Sequence, residues 1–183
     1  AITEWFLNKV SSLSPNNSFS IVEKSQLRKI VRLLKRFSKS RINWNLPGGF
    51  ILSVLAIECY VPNTTRDDIS FIQTLSNICN RLKNNRKIYN PVNYQIELTL
   101  NKSLQHQLTR LSEKLDRFIS KSEVLYLNDC NEEKASNFYK WVFNIQAEDK
   151  TLSYLKEYSL TEQSGFNVSV HRGKTFGAIM QNI

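Results

Sequence analysis

FILSVLAIECY, residues 50–60, constrains this chain more than any other stretch. It is apolar nearly all round when wound as a helix, with only Ser53 and Glu58 breaking the run, so it belongs at the centre of a bundle. It is too short to cross a bilayer, and Pro62 in the following VPN stops it. Whatever this chain does, other helices must surround that segment.

The flanking sequence supplies them. Trp5, Phe6, Leu7 and Val10 mark a short entry helix over Thr3–Leu13, ended by SLSPNNS. From about Glu23 to Ser40, Leu27, Ile30, Val31, Leu34 and Phe37 recur at helical spacing. Thr64 or Thr65 is expected to cap a further helix, with Asp67 and Asp68 in its first turn and Ile69, Ile72, Leu75, Ile78, Cys79 and Leu82 as its buried stripe. Leu104, Leu108, Leu111, Leu115, Phe118 and Ile119 define a long amphipathic helix, and Asn131–Asn144 another with Phe138, Trp141 and Val142 inward. RKIYNPVNYQIELTL, broken by Pro91 and several Asn, reads as an extended connector crossing the bundle, with a weak strand signal over Tyr94–Leu100. The expected architecture is mostly α, a bundle of about six helices over residues 1–146. Residues 147–183 form a C-terminal tail in which FNVSVHR and the last residues can pair as short strands or lie loose.

The charge is local. Lys24 to Arg41 holds eight Lys or Arg and no acid, which is +8 of a formal net charge of +9. On the helix, Arg28, Arg32, Lys35 and Lys39 form a stripe beside the apolar one. A solvated helix face normally mixes Lys with Glu four residues apart; here Arg28–Arg32 and Lys35–Lys39 are like-charge pairs at that spacing. An absent anion, such as nucleic acid or nucleotide phosphate, explains the stripe economically. NWNLPGG follows, and its Gly48–Gly49 pair precedes the apolar helix without the Lys-Ser/Thr of a Walker loop. A plain turn accounts for the pair, but its position puts the first amides of that helix beside the basic stripe.

Little else carries chemistry. His106 lies between Gln105 and Gln107 on a solvated helix face, and His171 neighbours Arg172 and Lys174, which suits phosphate contact better than base catalysis. Asp67–Asp68, Asp129, Glu132 and Glu133 flank helix starts, where acidic side chains complement the dipole. Cys59, Cys79 and Cys130 are odd in number, far apart and without zinc spacing, as reduced cytoplasmic thiols would be. The N-terminus AITEWFLNKV has no basic region before an apolar run and no initial Met, so a signal peptide is not expected and a fragment or processed chain is.

LRKIVRLLKRF, then NWNLPGGFILSVLAIECY, RKIYNPV and EKASNFYKWVFN, taken in that order from about Trp5 to Asn144, resemble the C-terminal helical half of cyclic GMP-AMP synthase and oligoadenylate synthetase-type nucleotidyltransferases. The resemblance is strongest to the bacterial cyclic-oligonucleotide synthases of antiphage (CBASS) operons. It implies a helical domain closing a cleft against a catalytic palm, with Lys35 on the donor triphosphate, Arg32 as a second contact, and Arg28 and Lys39 extending the wall beside Gly48 and Gly49. ATP and GTP would be the substrates and a cyclic di- or trinucleotide the product. Family members often carry Ser or Gln where this chain has Gly49, so only backbone amides remain at that place. The palm's Gly-Ser turn and its Asp/Glu-x-Asp/Glu carboxylates for two Mg²⁺ ions are absent from these 183 residues. The chain is therefore expected to be the C-terminal part of such an enzyme, dependent on a palm-containing chain or segment, with an antiphage partner protein and nucleic acid as further partners. A second reading is a non-catalytic basic helical module that binds RNA or DNA along the face from Arg28 to Arg41.

Overall fold

A computed structural model describes residues 1–14 and 25–145 of the chain. They form six α-helices and one small sheet: α1 (Ile2–Leu13), α2 (Gln26–Lys39), α3 (Gly49–Glu58), α4 (Asp67–Asn84), β1 (Tyr89–Asn90), β2 (Asn93–Glu97), α5 (Lys102–Ser122) and α6 (Glu132–Phe143). The expectation of a mostly helical bundle holds. The tail strands expected beyond residue 147, and His171, lie outside the described residues.

Helix α3 is the axis of the fold, since every residue from Ile51 to Ile57 is buried. Helices α2 and α4 pack on it, and α5 packs along α4. The apolar stripe of α2 read from the sequence is wholly buried, joined by Leu33. The remaining core is a chain of rings. Phe118 of α5 meets Phe37 of α2 at 5.8 Å, Phe71 of α4 at 5.7 Å and Phe138 of α6 at 5.5 Å, so one side chain ties four helices together.

Two local expectations need correction. Neither Thr64 nor Thr65 caps α4: the cap residue is Arg66, whose side chain makes no capping bond. The turn is instead held by Asn63, whose Oδ1 accepts from the amides of Thr65 (3.1 Å) and Arg66 (2.9 Å), a use of Asn that competes with ordinary capping. Likewise RKIYNPVNYQIELTL does not cross the bundle as a connector. It folds back as an antiparallel β1–β2 hairpin, with Tyr89 opposite Glu97 and Asn90 opposite Asn93. The Asn90 side chain accepts from the amide of Val92 at 3.0 Å, so the residues that looked like interruptions build the turn.

The N-terminal end of α2 is locked to the α3–α4 loop and the first residue of α4 by polar contacts. Gln26 donates to the Asn63 carbonyl and to Asp67 Oδ1, both at 2.7 Å, and accepts from Tyr60 Oη at 2.7 Å and the Asn63 amide at 3.0 Å. Burial pushes the Tyr60 hydroxyl up to about 12, which keeps it a donor. Lys29 completes the cluster with a 2.9 Å ion pair to Asp67. Asp68 is held separately by Arg66 at 2.5 Å. Thus the acidic pair at the start of α4 is used for packing as well as for the helix dipole.

Candidate functional site

The C-terminal half of α2 runs past the start of α3, and between them lies a cleft of ≈ 350 Å³. Lys35 and Lys39 line it from α2, Gly48 and Gly49 from the head of α3, and Ile42, Leu46 and Pro47 from the connecting loop. The cleft is two-sided in chemistry, with cations on one wall and apolar side chains on the other. Ile42 stands at its edge fully exposed, at 100%.

Lys35 is the centre of the arrangement. Its stem lies across Gly49: a Cβ added there would sit 3.2 Å from Lys35 Cε and 3.7 Å from Nζ. A side chain at Gly49 would therefore need the flexible end of Lys35 to shift by a few tenths of an ångström, and no turn geometry calls for glycine there. Gly48 has no such neighbour and an ordinary φ of −64°, so any residue fits its backbone. The left-handed residue of this loop is Asn45, with φ 43°.

Lys35 has a lowered pKa, first because it is partly buried and second because Lys39 is one turn away. No described residue forms an ion pair with Arg28, Arg32, Lys35, Arg36 or Lys39. The first helical bond of α3 is Leu52 N–H to the Gly48 carbonyl at 3.2 Å, so the amide of Gly49, which lines the cleft, precedes the bonded part of the helix. An anion seated here would meet donors from both helices.

The structure thus brings together four of the six residues singled out from the sequence: Lys35, Lys39, Gly48 and Gly49. Arg28 and Arg32 share the α2 stripe but do not line the cleft, because they stand one to two turns nearer the N-terminus than Lys35. Arg32 is exposed and Arg28 half-buried. His106 lies exposed on α5, as a solvated residue would. Among the described residues no three His, Cys, Asp or Glu come close enough to hold a metal ion. None of its helices is long and apolar enough to cross a membrane.

Arg41, which the sequence marks only as the end of the basic stretch, also lines the cleft. Its guanidinium lies 4.6 Å from the centre of the Trp44 ring and 5.3 Å from that of Trp141, while it donates to the carbonyls of Trp141 and Val142 at the end of α6. Burial, and then the charge of Arg117, lower its pKa. Arg41 thus joins the site to α6. No signal within α2 reports a partner 100 residues away.

No protein family matches the chain, and no curated protein matches it in sequence.

Proposed function

We propose that the cleft between α2 and α3 binds the phosphates of a nucleoside triphosphate, with Lys35 as the principal contact. On this reading the chain is the C-terminal helical part of a cytoplasmic nucleotidyltransferase that, joined to a palm, makes a cyclic di- or trinucleotide from ATP or GTP in antiphage defence. The observation that carries it is Lys35 laid over Gly49: a half-buried ammonium with a lowered pKa, unpaired among the described residues, at the head of a helix. A fold gains nothing by keeping a charge so placed, since both burial and Lys39 disfavour it. A phosphate removes both penalties at once. The apolar wall at Ile42, Leu46 and Pro47 suits the remainder of a nucleotide.

In the transfer a ribose 3′-hydroxyl attacks the α-phosphorus and pyrophosphate leaves with the bridging electron pair. Lys35 and the α3 amides would offset charge growing on that leaving group. The palm would supply Mg²⁺ and the carboxylates. Titration of a fluorescent ATP analogue tests the reading: Lys35→Ala should weaken binding at least tenfold and Lys39→Ala less. Equal affinity for Lys35→Ala and wild type would sink it. Salt separates this reading from the RNA- or DNA-binding module, because one triphosphate contact responds gently to salt and a multi-phosphate interface steeply.

A further inference from the structure

A second line of cations runs along α5, and the cleft does not use it. Arg110, Lys114, Arg117 and Lys121 recur at steps of four, three and four, which places them on one face beside the buried Leu111–Leu115–Phe118 face. Arg110, Arg117 and Lys121 are exposed and Lys114 is half-buried. None of the four has an ion pair with a described residue. Of the acids on the same helix, Glu113 makes no ion pair either, and Asp116 is taken by Lys83 at 2.5 Å.

The line is continuous with the cleft. Lys114 Nζ lies 5.5 Å from the Trp44 ring centre and Lys121 Nζ 5.1 Å from that of Trp141, the two rings that hold Arg41. Gln107, one turn before Arg110, donates to Asn45 Oδ1 at 3.2 Å, and Asn45 lines the cleft. From Arg110 to Lys121 the helix rises about 16 Å, so a single triphosphate seated at Lys35 is too short to span this line. A chain of phosphates is long enough. Single-file cations leading into a cleft of ≈ 350 Å³ suit one strand, whereas a duplex is too broad to follow them inside.

We propose that Lys114, Arg117 and Lys121 bind the sugar–phosphate backbone of a single-stranded oligonucleotide whose end reaches the Lys35–Lys39 cleft. Only the seat of that end rests on the triphosphate reading above; the α5 line stands without it. Arg41 fixes the join between the two and is already committed to the α6 carbonyls, so it is left intact in the test.

The test is fluorescence anisotropy of the full chain with a labelled 20-nucleotide single strand at two salt concentrations. Lys114→Ala/Arg117→Ala/Lys121→Ala should weaken binding at least tenfold and flatten the log–log salt slope by about 2, the value for three lost single-strand phosphate contacts. Arg86→Ala/Lys87→Ala, which removes charge at the hairpin, should leave binding within twofold. A Gln version of the triple variant carries the same expectation and guards against lost packing over the tryptophans. Unchanged binding in both triple variants overturns the proposal, as does tighter binding of the matching duplex, or binding of phosphatidylserine vesicles with none of the strand. If ATP fails to bind while strand binding still needs the three α5 cations, the cleft reading falls and this one stands. If ATP binds and the strand does not, the reverse holds.

Discussion

The two ends of α2 have similar residues and opposite fates. At the N-terminal end, Gln26 and Lys29 are answered by Asn63, Tyr60 and Asp67, and those bonds tie α2 to the α3–α4 loop and to the first residue of α4. At the C-terminal end, Lys35 and Lys39 face a cleft with no acid from any described residue. A helix of uniform charge is thus divided by its neighbours into an anchored half and an open one. Gln26 and Lys29 have their polar partners within the fold, whereas Lys35 and Lys39 have no ion-pair partner among the described residues.

Variants at each end can break or sharpen that division. The largest effect is expected at the ring both halves lean on: Phe118→Ala should cost about 3–5 kcal/mol, read as a loss of Tm, because it empties the space between Phe37 on the open side and Phe71 on the anchored side. Gln26→Ala should cost about 1–3 kcal/mol in denaturant unfolding by stranding the Asn63 and Asp67 groups, yet leave ATP affinity unchanged. A drop in ATP affinity there would mean the halves are not separate. Lys35→Met should do the opposite, abolishing ATP binding while raising stability by about 0.2–0.5 kcal/mol through removal of the like-charge pair with Lys39. Loss of stability would show that Lys35 belongs to the anchored class.

The smallest effect is one of pH. Because the Lys35 pKa lies below 10.5 in the folded chain, the unfolded chain holds more protons between the two values. Stability should therefore rise with pH across that window, and phosphate affinity should fall as Lys35 loses its charge. Lys39→Ala should move the affinity curve to higher pH, and an unmoved curve would assign the lowered pKa to burial alone.

Much of this was legible before folding. The repeat of Leu27, Ile30, Val31, Leu34 and Phe37 marks α2, and the all-round apolarity of Ile51–Ile57 marks the central helix, because burial imposes those periods on any helix. The strand signal over Tyr94–Leu100 overlaps β2, but its pairing with β1 and the Asn63 turn were not legible, since the same Asn and Pro residues serve loops, turns and caps alike. Lys35 and Gly49 were each visible, but their contact was not.

The sequence alone determined a helical bundle, its central segment and the clustering of positive charge on α2. Only the tertiary structure decided which of those charges are spent on packing, that Lys35 crosses Gly49, and that Arg41 bridges the cleft to the α5 line through Trp44 and Trp141. The reason is range. Periodicity is a property of neighbours a few residues apart, whereas an ion pair between Lys29 and Asp67, or a guanidinium against a tryptophan in a distant helix, exists only once the core has brought those segments together.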